Sequence, residues 1–150
     1  MLPRPHELAE RYVALWNESD PGRRAAGVQE LYAADIEYLM YRRDPFHGRE
    51  ALLEQITFTY DLYRPMGFEF HDARDAIGHH NIVRFGWTMR VIGTGEVEMT
   101  GQNVLVLDDD GRIRADYQFH ERMPTSFVYN DGFEENGVVS RKAEPTWLTA

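Results

Sequence analysis

Three residues in the last third of the chain, Asp116, Gln118 and His120, follow one another at a spacing of two. A carboxyl group whose charged form is disfavoured by burial can trade a proton near neutral pH, and an imidazole titrates in the same range. The amide between them both donates and accepts hydrogen bonds. On a β-strand this spacing puts all three on one face, opposite Ile113, Ala115, Tyr117 and Phe119. Such a strand has two readings: its polar face meets water, or it lines a pocket. Four residues along one strand separate Asp116 from His120 by about 13 Å. They would therefore address different ends of one ligand rather than form a dyad.

Other chemistries find little support. The chain has no cysteine, so thiolate nucleophiles, thiolate metal sites and disulfides are excluded. His47, His71 and the His79-His80 pair do not fall at metal-ligand spacing on one element, and no metal site is expected. There is no GxSxG, no phosphate-cradling glycine loop and no dinucleotide fingerprint. A net charge of -9 argues against nucleic acid or an anionic membrane as partner. No apolar run approaches the ~18 residues that would span a bilayer. The opening MLPRPHELAE lacks an apolar signal core, which gives a cytoplasmic expectation.

The length of 150 residues suits one domain with a sizeable core, and 43% apolar with 27% charged residues is a globular composition. In a helix from Pro5 to about Asn17, Leu8, Tyr12, Leu15 and Trp16 form one stripe. Asp20-Pro21 starts a second helix, with Ala25, Val28, Leu31 and Tyr32 at helical spacing. Asp35 to Tyr41 reads as a strand. A third helix, Arg49 to Tyr63, shows Leu52, Ile56, Tyr60 and Tyr63 on one side and stops at Arg64-Pro65. The period then becomes two. Strands are expected over Phe68–Ile77, Asn81–Ile92, Val97–Leu107 and Arg112–Glu121, the last pair joined by the turn Asp108-Asp109-Asp110-Gly111. Helices first and an antiparallel meander after predict an α+β fold, three helices on one face of a strongly curved sheet that leaves a conical space. Phe85, Trp87 and Met89 share one face of a meander strand and would wall that space. The segment 124–150, with Phe127, Val128, Tyr129, Trp147 and Leu148, is expected to be an arm packed on the body or on a partner subunit rather than a second domain.

The element order, with ERYVALWNESD, LYAADIEYL, HGREAL and NVLVLDDDGRI, resembles the nuclear transport factor 2-like superfamily over roughly residues 5 to 123. The likeness is to its SnoaL-like and ketosteroid isomerase-like members, and it implies a cone-shaped fold with a hydrophobic pocket. Placing DDDGRI on the corresponding turn implies that Asp116, Gln118 and His120 face the pocket and that Ile113, Ala115, Tyr117 and Phe119 face outward. The same register places Asn103 and Tyr12 where those isomerases keep the two donors of their oxyanion hole. The isomerase base falls on Met40, which takes no proton; only compensating gaps would bring Asp44 there. The positions of an epoxide hydrolase-type arginine and aspartates fall near Phe85, Trp87 and Gln118, so that chemistry is not expected.

The resemblance thus implies cofactor-independent proton transfer on a small apolar ligand bearing a carbonyl or hydroxyl oxygen. Asp116 would be the acid or base, Tyr12 and Asn103 would hold the oxygen, and His120 would assist. Trp16, Met40, Phe85, Trp87, Met89, Leu105 and Gln118 would line the pocket. The alternative is a non-catalytic binding or assembly module on the same fold. With Val104 and Val106 beside it, the outward face of the last strand is too apolar to stay wet, and a homodimer through it is expected.

Overall fold

A computed structural model describes residues 2–41 and 43–127, together with two short paired strands at 134–135 and 138–139. Helix α1 spans Pro5–Trp16, with proline in its first turn, where the missing N–H costs nothing. Helix α2, Pro21–Leu31, is capped by Asp20, whose Oδ2 accepts from the Arg23 N–H at 2.8 Å. Arg24 of α2 is buried and donates to the carbonyl of Glu18, just past the end of α1, with its guanidinium over the Tyr60 ring. Strand β1 is Tyr32–Leu39, not Asp35–Tyr41: the chain turns extended directly from α2, and a short β2, Phe46–His47, pairs back on it. Helix α3 follows as Gly48–Tyr63.

The expected strand Phe68–Ile77 is two strands, β3 (Phe68–Asp72) and β4 (Ile77–His79), both paired to β5 (Ile82–Val91). Asp72 and Asp75 break it. Asp72 accepts from the Arg74 N–H, and Asp75 turns in to accept from the Gly86 N–H and the Arg84 guanidinium. Strands β6 (Val97–Leu107) and β7 (Ile113–Arg122) complete a seven-stranded sheet in the order β2-β1-β7-β6-β5-β3, with β4 also on β5. Only β1 and β7 run parallel; the other neighbours are antiparallel. The β6–β7 turn closes through Asp108, whose Oδ1 accepts from the N–H groups of Asp110 and Arg112, and Gly111 takes φ 79°.

Three helices thus lie on a mixed, mainly antiparallel, curled sheet, an α+β cone. The core fills the concave side: Leu8, Tyr12 and Trp16 of α1 and Leu52 and Ile56 of α3 meet Phe85, Met89 and Leu105 of the sheet. Asn17, just past α1, exchanges two hydrogen bonds with the backbone of Phe70, which fixes α1 against β3. The outward assignment of Ile113 is corrected: its exposure is 0%. Leu107 faces Ile113 and Val106 faces Ala115, so one step on β6 spans two on β7, and this bulge turns Ile113 inward while Ala115 stays outside. Of the segment expected to form an arm, residues 124–127 and the paired strands 134–135 and 138–139 are placed; Val128, Tyr129, Trp147 and Leu148 lie outside the described residues. Phe127 packs on Phe68 and Tyr63, and Ser126 is held by the Glu98 carboxylate through its N–H and its hydroxyl. No described helix is long and apolar enough to cross a membrane.

Candidate active site

The concave face of β7 carries Asp116 between Tyr38 of β1 and Leu105 of β6. Helix α1 lays Tyr12 over it. The Tyr12 hydroxyl donates to Asp116 Oδ2 at 2.6 Å, and Asn103 Nδ2 donates to Oδ1 at 2.6 Å. The same Nδ2 donates to the Tyr12 oxygen at 2.9 Å, while Asn103 Oδ1 accepts from Trp87 Nε1 at 2.8 Å. All four side chains are buried, and Asp116 is 0% exposed. Among the described residues no cation pairs with it. Arg84 is engaged by Asp75, Arg90 by Thr88, and Arg114 lies on the outer side of β7.

Burial without a counter-charge therefore decides the chemistry of Asp116. Desolvation pushes its pKa from 3.8 to about 7, with the two hydrogen bonds pulling the other way. The phenols of Tyr12, Tyr32 and Tyr38 are raised well above their ordinary value, first by burial and then by the nearby carboxylate, so they stay protonated. Burial lowers His120 to about 4, which keeps its ring neutral near pH 7. That ring stands edge-on to Trp87, 6.1 Å between centroids.

A cavity opens beside this network. Of the residues named from the sequence, Tyr12, Asn103, Trp16, Met40, Trp87, Gln118 and His120 line it. Asp116 does not reach its surface, being shut behind Tyr12 and Asn103. Phe85, Met89 and Leu105 do not line it either; they are packed core at 0% exposure, with Phe85 edge-on to Tyr12. The wall has members that sequence reasoning missed: Tyr38 on β1, Gln55, Thr59 and Tyr63 on α3, Phe70 on β3 and Met99 on β6. On α3 a signal existed. Gln55, Thr59 and Tyr63 recur every fourth residue beside Leu52 and Ile56, and this stripe, rather than Tyr60, faces inward.

The cavity is a narrow slot. Its volume is about 40 Å³. Its polar groups are few. Gln118 Oε1 accepts from the Tyr38 hydroxyl at 3.0 Å, which turns the Gln118 amide nitrogen away from Tyr38. Strand β1 ends at Leu39, opposite Tyr117, so β7 from Gln118 onward has no β1 neighbour. In that gap a surface groove lined by Leu39, Tyr41, Tyr117 and Phe119 shares Met40, Gln118 and His120 with the cavity. These three side chains form the mouth. Among the described residues no three His, Asp or Glu side chains gather as a metal site would need.

Comparison with known proteins agrees with the architecture. A family model described as a SnoaL-like domain matches residues 9–115. A SnoaL-like family structure from Agrobacterium tumefaciens, named there as a proposed isomerase, is 26% identical, with a TM-score of 0.69 over 78% of this chain and 97% of its own. A nuclear transport factor 2-like protein from Exiguobacterium superimposes at TM-score 0.57 and 14% identity, over 76% of this chain and 98% of its own. A proposed polyketide cyclase from Sinorhizobium meliloti does so at 0.56 and 14%, over 78% and 94%. At that identity these last two speak for the fold alone. A comparison with curated proteins finds no match.

Proposed function

Since the chain belongs to the SnoaL-like domain family, we propose that it moves a proton, without a cofactor, on a small flat apolar ligand bearing a carbonyl oxygen. The observation that carries this reading is Asp116: a fully buried carboxyl held by two neutral side-chain donors, Tyr12 and Asn103, both of which line the cavity. A carboxyl poised near pH 7 can serve as acid in one half-reaction and base in the other. His120 supplies a neutral ring on the same wall. Trp16, Tyr38, Phe70 and Trp87 would sandwich a planar ligand, and the flexible thioether of Met40 can move aside for it.

The test is deuterium uptake at the carbon next to the carbonyl of 2-tetralone in D₂O, followed by NMR. Wild type should accelerate it and Asp116→Asn should lose about 10²- to 10⁴-fold of that acceleration with folding intact. Equal rates in the two proteins would remove Asp116 from the mechanism. A second reading, a non-catalytic binding module, is favoured by the small interior. It predicts that the ketone binds and raises thermal stability while exchange stays at the solvent rate.

We propose in addition that a second copy covers the outer sheet face. Tyr117 and Phe119 are 42% and 46% exposed there, with Leu39, Val104 and Val106 half-buried around them. Light scattering at micromolar concentration should give a dimer that Tyr117→Glu with Phe119→Glu converts to monomers. A wild-type monomer would overturn the assignment.

A further inference from the structure

The hydrogen-bond inventory of the buried network leaves a single hydrogen undecided. An indole N–H can only donate, so Trp87 Nε1 fixes Asn103 Oδ1 as its acceptor and forces the amide nitrogen toward Asp116 and Tyr12. Both amide hydrogens are then committed, one to Asp116 Oδ1 and one to the Tyr12 oxygen. What varies is the direction of the bond between Tyr12 and Asp116 Oδ2. With Asp116 ionised, Tyr12 must donate into the carboxylate, and its hydroxyl has no hydrogen for anything in the cavity. With Asp116 protonated on Oδ2, the carboxyl donates instead. The Tyr12 oxygen then accepts from both Asp116 and Asn103, and its own hydrogen turns to the cavity that Tyr12 lines.

We infer that Tyr12, and not Asp116, is the group that meets the ligand, and that the network sorts ligands by hydrogen-bond sense. An oxygen that can only accept, such as a ketone, is held by the protonated network. A hydroxyl, which can also donate to the Tyr12 oxygen, is held by either form. The ketone and enol of one compound would therefore be partners of the two states. This rests on the proton-transfer reading above and gives it an atomic path. Tyr12 passes its hydrogen to the carbonyl oxygen while Asp116 Oδ2 passes its own to Tyr12. The hydrogen leaving the neighbouring carbon goes to the neutral His120 ring. Products are the enol, neutral Tyr12, ionised Asp116 and protonated His120, so atoms and charge balance. Asn103 and Trp87 act as positioning residues, since neither has a hydrogen left for the ligand.

The groups packed round Asp116 that could confuse a titration are Tyr12 from α1, Tyr32 and Tyr38 from β1, with Arg43 acting on Tyr38, and His120 of β7 itself. The other neighbours from β5 and β6, Phe85, Trp87, Asn103 and Leu105, do not titrate. The phenols remain protonated through the neutral range, and His120 is neutral above about 4. Asp116 is thus the member that changes charge there.

The experiment follows the Asp116 carboxyl by ¹³C NMR, assigned with Asp116→Asn, and the Trp87 indole N–H, in titrations with acetophenone and with benzyl alcohol. Acetophenone should raise the Asp116 midpoint, and its affinity should fall about tenfold for each pH unit above that midpoint. Benzyl alcohol affinity should stay level. Tyr12→Phe should abolish the acetophenone dependence, and Trp87→Phe, which frees the amide to turn over, should shrink the difference between the probes. The same pH profile for both probes, no movement of the Asp116 resonance by acetophenone at about pH 8, where the free carboxyl is ionised, or a dependence that survives Tyr12→Phe would overturn the inference. Proton-linked binding without deuterium exchange in 2-tetralone would instead overturn the catalytic reading and leave this one standing.

Discussion

Chemical denaturation of the wild-type protein and two variants across a pH series should give three differently sloped curves. The Asp116 pKa rises from 3.8 to about 7 on folding. Between those values the folded state holds a proton that the unfolded chain has released. Its contribution to stability is fully present below the unfolded value and is lost as pH rises through the folded one. His120 runs the other way. Its pKa falls from 6.5 to about 4 on folding. There the unfolded chain holds the extra proton, and stability is lost as pH falls. At about 1.4 kcal/mol per tenfold change in proton affinity, the totals are on the order of 4 kcal/mol for Asp116 and 3 kcal/mol for His120.

From about pH 4 to 6.5 the two slopes oppose each other and largely cancel. Relative to wild type, Asp116→Asn should therefore grow more stable as pH rises, uncovering the His120 slope. His120→Gln should grow less stable, uncovering that of Asp116. Taking each variant against wild type removes what the surface carboxylates contribute. Parallel curves for all three proteins would mean that neither group is titrating in the way its burial dictates.

Gly101→Ala should cost about 3 kcal/mol although the glycine needs no unusual backbone angle. Gly101 lies on β6 between Trp87 of β5 and His120 of β7. A Cβ there would stand 2.5 Å from the Phe119 carbonyl oxygen and 2.7 Å from Cε2 of Trp87. The carbonyl belongs to the sheet and cannot give way, so the indole must. Moving it pulls Nε1 from Asn103 Oδ1 and leaves a buried amide oxygen without its donor. Denaturant unfolding gives the size of the loss, and a displaced Trp87 indole N–H resonance identifies its route. A loss below about 0.5 kcal/mol would mean that the indole has room to yield.

The parts of the fold that periodicity dictates were legible. The Asp20-Pro21 cap, the stop at Arg64-Pro65 and the run Val97–Leu107 lie where local chemistry puts them. What escaped depended on pairing between distant segments. The bulge that turns Ile113 inward is a mismatch between two strands, and neither strand records it alone. Alternation gave Phe85, Met89 and Leu105 the same face as Trp87 and Asn103, but a face has no depth; the first three are packed beneath neighbours and the last two meet the cavity. The contact of Tyr12 with Asp116 joins positions 104 residues apart. Only the likeness to known folds brought those two residues to one place, and no spacing could say which of them would stand in front.

The gap left where β1 stops beside Tyr117 bears on how fast the cavity can trade its contents. Its rim is three side chains, Met40, Gln118 and His120, shared between the slot and the groove. Gln118 is half-buried, but Met40 and His120 are only 8% and 4% exposed, so the picosecond-to-nanosecond rotamer changes of exposed side chains are not open to them unless their neighbours yield first. The rim thus couples the packing around it to the exchange of whatever the slot holds, and substitutions that loosen that packing should speed entry and release together.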